Sequence, residues 1–417
     1  MNNHPNSKTD FIMRDSIPYG WKCKSISNVA MILSSNVDKI SNDGEEPVLL
    51  CNYMDVFYND YIDNKLNLMR ATATKEEIGI FQLKKNDVVI TKDSETREDI
   101  AKAAVVIDEN PHFVCGYHLS IIRPQSEVIN GDFLSKVFSS NYLHRYFVTQ
   151  ANGVTRFGLT LDSIRNAQIL IPPIHEQRMI TRIIHLWDRA IDLTKKHIKA
   201  KRKLKKALMQ QLLTGRLRFP GFFDKWQSME LRKILKLCLR KVKKPEVQYK
   251  RLGIRSHGKG TFITYVDDPE DISMTHLFKV KKGDLILNIT FGWEGAIALV
   301  DEEGNGALVS HRFPTYEINE KIVLADYFKY LMLSPRFFYF LGVVSPGGAG
   351  RNRVLDKNEF IKLKVNLPSI DEQKKISALL ISLDKEISQL STLLYMYQNQ
   401  KRGLMQKLLT GKLRVFN

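Results

Sequence analysis

The sequence predicts an α+β protein with a pseudo-two-fold internal repeat. Two mixed α/β bodies alternate with two long helices, and the helices are expected to pack as an antiparallel coiled coil. Three observations predict this. The stretch 172–218 recurs at 368–414 without a gap, from Pro-Pro-Ile-His-Glu-Gln-Arg and Pro-Ser-Ile-Asp-Glu-Gln-Lys to Leu-Leu-Thr-Gly-Arg-Leu-Arg and Leu-Leu-Thr-Gly-Lys-Leu-Arg. Both copies carry an apolar heptad, and each closes a half-chain whose body reads as mixed strands and helices. A duplication this long sets the architecture before any other consideration.

Proline ahead of the periodic stretch and glycine just past it are the punctuation of a helix. Pro172 and Pro368 precede the two stretches; Gly215 and Gly411 close them. Between them, apolar residues alternate at three and four, from Ile180, Ile184, Trp187 and Ile191 to Leu212, and from Ile376, Leu380, Leu383 and Ile387 to Leu408. That alternation indicates coiled-coil packing. Lys205 and Lys401 interrupt the two seams at matching positions, and a polar seam residue often fixes register. Some 40 helical residues make a rod of roughly 60 Å. Antiparallel pairing of two such rods, each leaving its own body, predicts a two-headed spacer.

The remaining elements follow in order. Residues 1–16 read as a polar leader. The bodies begin near Ile17-Pro18-Tyr19-Gly20-Trp21 and Pro220-Gly221-Phe222-Phe223-Asp224-Lys225-Trp226. Leu83-Lys84-Lys85-Asn86-Asp87-Val88-Val89-Ile90 matches Val280-Lys281-Lys282-Gly283-Asp284-Leu285-Ile286-Leu287, each a turn leading into a buried strand. Further strands are expected at Ala104–Ile107 and Ala296–Val300. Phe133–Phe147 and Tyr327–Leu341 read as amphipathic helices with Ser140 and Ser334 at matching places, and Pro335 is expected to break the second in two. The bodies differ freely between these framework points. A shared scaffold with different loops suits two readers of different targets.

Composition narrows the class. The chain has 417 residues and a net charge of +18, with a pI near 9.5, which points to a polyanionic partner, above all nucleic acid. No hydrophobic leader opens the sequence, no apolar run is long enough to span a bilayer, and Cys23, Cys51, Cys115 and Cys238 are far apart with no CxxC pair. The expectation is a cytoplasmic protein without a zinc site. There is no phosphate loop of the G-x-x-x-x-G-K-[ST] kind, no Asn/Asp-Pro-Pro-aromatic motif for adenine methylation, and no HExxH. No catalytic residue and no metal ligand is assigned.

Arginine and lysine grip phosphate and pair with guanine edges. The DNA-binding candidates are Arg70, Lys92, Arg97 and Arg156 in the first body, and Arg255, His257, Lys259, Arg312, Arg351 and Arg353 in the second. Trp293 is expected to pack in the core rather than stack on a base. Gly347-Gly348-Ala349-Gly350 reads as a loop able to approach phosphate or as a mobile surface loop. The run Lys195–Lys206 reads as a solvated basic face that also draws DNA.

The repeated opening and close strongly resemble the specificity subunit of type I restriction-modification enzymes, over nearly the whole chain. Pro172, Pro173, Ile174, Glu176 and Gln177 match the opening of the family's spacer helix, as do Pro368, Ile370, Glu372 and Gln373; Ser369 replaces the second proline. Leu213, Thr214 and Gly215, with Leu409, Thr410 and Gly411, match its close. The composition gives a flexible leader at 1–16, and the resemblance implies target-recognition domains at 17–171 and 216–367 and spacer helices at 172–215 and 368–414. It implies a non-catalytic subunit whose recognition domains each read half of a bipartite sequence. The helices would set the gap and dock two methyltransferase subunits, with Glu176, Gln177, Leu213, Thr214, Gly215, Glu372, Gln373, Leu409, Thr410 and Gly411 as partner-helix residues. S-adenosylmethionine, ATP and magnesium would belong to the methyltransferase and restriction/translocase subunits, leaving this chain without a cofactor. The alternatives are a stand-alone architectural DNA-binding protein, separated by whether a methyltransferase co-purifies, and an enzyme with a cryptic nuclease site.

Overall fold

The computed structural model describes residues 17–348 and 353–415. The expected leader, 1–16, and Arg351 lie outside the described residues. Six helices organise the description: α1 (Gly131–Phe138), α2 (Asn141–Gln150), α3 (Ile174–Leu212), α4 (Ala325–Leu331), α5 (Pro335–Val343) and α6 (Ile370–Leu409). The chain divides into two compact units, Met1–Thr194 with Leu393–Asn417, and Lys195–Thr392. Each unit therefore holds one body and a portion of both long helices.

In the first unit a five-stranded sheet runs in the order Ala30–Ser34, Leu119–Pro124, Val88–Thr91, Ala103–Val106, Tyr61–Ile62. Strand Val88–Thr91 is buried on both faces, so it alternates between two cores. Val88 and Ile90 pack with Phe133, Leu134 and Val137 of α1 and with Ile180 and Ile184 of α3. Val89 faces Leu50, Phe113 and Cys115 of the three-stranded sheet formed by Met69–Ala73, Glu46–Cys51 and Phe113–Cys115. The turn before the strand puts Asn86 at φ +78, a conformation asparagine tolerates. Asp87 accepts from the Lys84 N–H at 2.8 Å and takes a bidentate pair from Arg123.

The second unit repeats the plan. Strand Leu285–Leu287 lies in the order Leu235–Leu237, Thr315–Ile318, Leu285–Leu287, Ile297–Leu299. Leu285 and Leu287 pack with Tyr327 and Phe328 of α4, Phe337 of α5 and Ile376 and Leu380 of α6. Ile286 faces Leu252, Ile254 and Val309 of the adjoining five-stranded sheet. Gly283 takes the left-handed place at φ +87, and Asp284 accepts from the Lys281 N–H at 2.8 Å and pairs with Arg240. The expected turn-and-strand match is present in both bodies.

The coiled-coil expectation holds within each unit. In the first, Ile180, Ile184, Ile191 and Thr194 are buried, Trp187 meets Tyr397 edge-on at 5.7 Å, and Asp188 pairs with Lys401. In the second, Lys201 pairs with Glu386 at 2.8 Å and Lys205 with Asp384 at 2.5 Å. In the second unit rising numbers on one helix meet falling numbers on the other, so those segments run antiparallel. The two seam lysines are thus neutralised by equivalent aspartates.

One helix expectation needs correction. The break expected only at Pro335 occurs in both bodies. Pro335 is the first residue of α5, capped by the Ser334 side chain, where its missing N–H costs nothing. In the first body the chain breaks at Ser139-Ser140 without proline, because the buried Ser140 hydroxyl turns back to the Val137 carbonyl at 2.6 Å. The residue after each break distinguishes the units. Asn141 offers an N–H, which donates to Gln406 Oε1 at 2.8 Å, while Gln406 Nε2 donates to the Ser139 carbonyl at 3.3 Å. Pro335 has no N–H to offer the equivalent Gln210. A cavity of about 800 Å³ opens there, lined among others by Gln210, Leu333, Pro335 and Phe337.

Candidate nucleic-acid interface

Each body carries the same three-way backbone junction at the end of its central strand. In the first, the Lys92 N–H donates to the His118 carbonyl at 3.1 Å, and the Leu159 N–H donates to the Lys92 carbonyl at 2.8 Å. In the second, the Ile289 N–H donates to the Arg312 carbonyl at 3.0 Å, and the Leu355 N–H to the Ile289 carbonyl at 2.8 Å. Lys92 therefore corresponds to Ile289, His118 to Arg312, and Leu159 to Leu355. The loop that leaves the central strand, 92–97 in one body and 289–295 in the other, is held from both sides by strands that carry candidate side chains.

In the first body this frame brings together Lys92, Arg97 and Arg156. Arg97 is exposed and lies 4.9 Å over the Phe157 ring. Arg156 is exposed with its Nε 3.9 Å from Asp93 Oδ1. Lys92 is half-buried, and its ammonium donates to Ser34 Oγ at 3.1 Å and to the Ser35 carbonyl at 2.9 Å. Burial lowers its pKa against the opposing pull of Asp93. Lys92 therefore anchors the loop rather than presenting a free cation. Arg70 stands apart, exposed on strand Met69–Ala73 beside a cavity shared with Asn52 and Asp55.

In the second body the hairpin tip 255–260 is stitched onto loop 289–295. The His257 N–H donates to the Glu294 carbonyl at 2.8 Å, the Ser256 hydroxyl to the Glu294 carboxylate at 2.7 Å, and the Gly258 N–H to the Gly295 carbonyl at 2.9 Å. His257 sits at φ +61, a left-handed conformation unusual for a residue with a side chain. Arg255 lies 5.0 Å over Phe262, Lys259 is exposed on the tip, and Arg312 reaches Thr290 Oγ1 at 3.3 Å. Arg255, His257, Lys259 and Arg312 thus gather around one loop. Arg353 joins them from below: it donates to the carbonyls of Gly342 at 2.8 Å and Ser345 at 3.2 Å, closing the end of α5, and lies 5.1 Å over the Trp293 ring. Trp293 is half-buried under that guanidinium and lies outside the buried core clusters, so the expected core packing is not what the structure shows.

The two frames are clipped by the same device with its partners exchanged. In the first body the loop supplies the cation, Arg97, and the flanking strand the ring, Phe157. In the second the loop supplies the ring, Trp293, and the flanking segment the cation, Arg353. A cation over an aromatic face contributes about 0.5–2 kcal/mol depending on exposure. The sequence reading missed His118 and Asp93, which complete the first frame with a 2.8 Å contact between His118 Nδ1 and Asp93 Oδ2. The pointer to His118 is its place just before the strand that pairs back onto Val88–Thr91, a pairing that spacing alone does not disclose.

The motif glutamates, glutamines and leucines of the long helices face inward. Glu176 is buried and accepts from Trp21 Nε1 at 3.0 Å and from Arg414 at 2.8 and 3.0 Å. Glu372 is buried and accepts from Trp226 Nε1 at 3.2 Å and from Arg218 at 2.9 and 2.8 Å. Gln177 accepts the Asn130 N–H and donates to the Val128 and Pro172 carbonyls. Gln373 does the same with Leu324, Ile322 and Pro368. Leu213 and Leu409 are buried. Gly215 and Gly411 take left-handed turns at φ +71 and +68, with Thr214 and Thr410 bonded back into their helices. Each motif fastens a helix to its own unit. Among the described residues, no cluster of three or more His, Cys, Asp or Glu side chains is placed to hold a metal, and no helix is long and apolar enough to cross a membrane.

Comparison with known proteins agrees with this construction. The family model for the type I restriction modification DNA specificity domain matches twice, at residues 18–202 and 224–393. The putative type I restriction enzyme MjaX specificity subunit of Methanocaldococcus jannaschii is 21% identical, with 96% of this chain and 95% of that protein covered. The MjaVIII specificity subunit of the same organism is 25% identical, over 69% of this chain and 71% of that one. Among solved structures, the S subunit of the type I system from M. genitalium has the same fold, with a TM-score of 0.54 at 14% identity, covering 95% of this chain and 97% of that one. The HsdS subunit from Thermoanaerobacter tengcongensis has a TM-score of 0.51 at 14% identity, covering 96% and 99%. Matched by that family model in both halves, the chain belongs to the type I restriction modification DNA specificity family and is the specificity subunit, rather than a catalytic subunit, of a type I restriction-modification system.

Proposed function

We propose that the two bodies, 17–171 and 216–367, are target-recognition domains that each read one half of a bipartite duplex target. The spacer helices, 172–215 and 368–414, set the unspecified gap and dock two methyltransferase subunits, to which restriction/translocase subunits add. The observation that carries this reading is the pair of equivalent loop frames: one backbone junction, built twice, with different polar side chains on it. Arg97 and Arg156 in the first frame and Arg255, His257, Lys259 and Arg312 in the second are the proposed DNA contacts, with Arg70, which stands apart from the frame, as a further contact to the backbone. Lys92 and Arg353 support the loops, and Arg351 is a further proposed DNA contact. Glu176, Gln177, Leu213, Glu372, Gln373 and Leu409 serve docking indirectly, by fixing where the helices leave their bodies. Thr214, Gly215, Thr410 and Gly411 shape the helix ends. S-adenosylmethionine, ATP and magnesium belong to the partner subunits, and the assembly works in the cytoplasm.

The test is the methylated motif in DNA from cells expressing this chain with its methyltransferase, mapped by single-molecule sequencing. A two-part motif with a constant gap, lost on deletion of the chain, is the expected result. Methylation independent of the chain, given an active methyltransferase, would overturn the reading.

A further inference from the structure

We propose that His118, seated on Asp93, is a base-reading residue of the first body, and that it stands at the backbone position Arg312 occupies in the second. The two bodies then present opposite hydrogen-bonding polarity at one shared position. The first suits a base-edge amino group, as on cytosine or adenine, and the second suits guanine. This rests on the function proposed above and extends it to the chemistry of each half-site.

The equivalence comes from the backbone. His118 and Arg312 each offer their carbonyl to the first residue of the strand-end loop, at 3.1 and 3.0 Å, and that residue in turn receives Leu159 or Leu355 at 2.8 Å. Both residues immediately precede or lead into the strand that pairs with the central one, Leu119–Pro124 on Val88–Thr91 and Thr315–Ile318 on Leu285–Leu287. Their Cα atoms are therefore set by the same three-way junction.

The polarity comes from the side chains. Asp93 Oδ2 lies 2.8 Å from His118 Nδ1. A carboxylate oxygen accepts, so the contact selects the tautomer with its proton on Nδ1, and in that tautomer Nε2 is the acceptor. Tyr117 packs on the imidazole with ring centroids 3.7 Å apart, which restricts the ring to few orientations, as positioned recognition groups require. In the major groove the complement of an acceptor is the amino group of cytosine N4 or adenine N6. Arg312 has only donors. One of its terminal nitrogens reaches Thr290 Oγ1 at 3.3 Å, leaving the rest of an exposed guanidinium for the acceptors of guanine. The neighbours follow the same division: Asp93 sits in the first loop where Thr290 sits in the second.

The experiment maps methylated motifs in cells expressing the full chain with its methyltransferase, comparing wild type, His118→Arg, His118→Ala and Arg312→Ala. His118→Arg is expected to change one position in one half of the motif from A or C to G, leaving the other half intact. His118→Ala is expected to lower discrimination at that same position by about tenfold or more, and Arg312→Ala to relax a guanine in the other half. A His118→Arg chain that methylates the wild-type motif unchanged would overturn the proposal, as would a change in the half that Arg312→Ala affects. If both His118 variants assemble with the methyltransferase but abolish all methylation, the residue holds the loop and does not read a base, and the proposal also fails. A wild-type chain that directs no bipartite motif overturns the broader reading and this one together.

Discussion

Glu176 and Glu372 are the two carboxylates on which the residue-scale account turns. Each is buried, and each is held by an arginine from the Leu-Leu-Thr-Gly-x-Leu-Arg close and by a tryptophan from the start of its body. Burial raises the pKa of Glu176, but its hydrogen bonds from Arg414 and Trp21 outweigh that and leave it below the ordinary value. Removing one partner of such a pair strands a buried charge. Arg414→Leu is therefore expected to destabilise the first unit by about 3 kcal/mol, read as a lowered midpoint in urea unfolding. The pH dependence has a definite sign. Because the folded value lies below the unfolded one, about 4.3, the contribution of Glu176 is complete above that pH and is lost as pH falls through it towards the folded value. Glu176→Gln should flatten stability in that acid window while lowering it at neutral pH; an unchanged acid slope would show that the carboxylate is not a source of it.

At the scale of elements, the helix corners separate two units built to one plan. Gln406 ties α6 to the α1–α2 corner through the Asn141 N–H and the Ser139 carbonyl. Proline at 335 denies Gln210 the equivalent donor. Gln406→Ala is expected to cost about 1 kcal/mol, the ordinary net worth of a hydrogen-bonded tie, whereas Gln210→Ala should be close to neutral. Equal losses in thermal unfolding would mean the two corners are held alike. The seam lysines follow a similar logic. Lys205 is shared between Asp384 and the face of the Tyr330 ring at 5.1 Å, and the Tyr330 hydroxyl donates to the same aspartate at 2.7 Å. Lys205→Met is expected to destabilise the second unit, because it leaves Asp384 in a partly buried seam without its cation.

Over the whole molecule, the proposed function makes the long helices a ruler and the basic surface a guide. Inserting one heptad into each helix adds about 10 Å, so the gap in the methylated motif is expected to grow by about three base pairs at roughly 3.4 Å each. An unchanged gap would refute the ruler. The basic run contributes differently from its appearance in sequence. Lys201 is bound to Glu386 and Lys205 to Asp384, while Lys199 and Lys203 are exposed on α3. Replacing Lys199 and Lys203 by glutamine is expected to weaken binding to all DNA sequences and to reduce the salt slope by at most about 2. The motif should stay the same.

The sequence by itself determined the repeat, the two long helices with their seams, the turn before each central strand, and the family. All of these are written in local spacing: heptads for the helices, Lys-Lys-x-Asp for the turns, proline and glycine for the ends. It also placed three of the second body's DNA candidates on one loop, since Arg255, His257 and Lys259 are neighbours along the chain. Only the tertiary structure decided which cations are spent internally. Lys92 and Arg353 look like Arg97 and Arg312 in sequence, but their partners, Ser34, Ser35, Gly342 and Ser345, are backbone and hydroxyl groups that carry no pattern. Only strand pairing placed His118 opposite Asp93 and in register with Arg312. Such long-range contacts are fixed by which strands lie side by side, and a reading of spacing along one chain does not contain that.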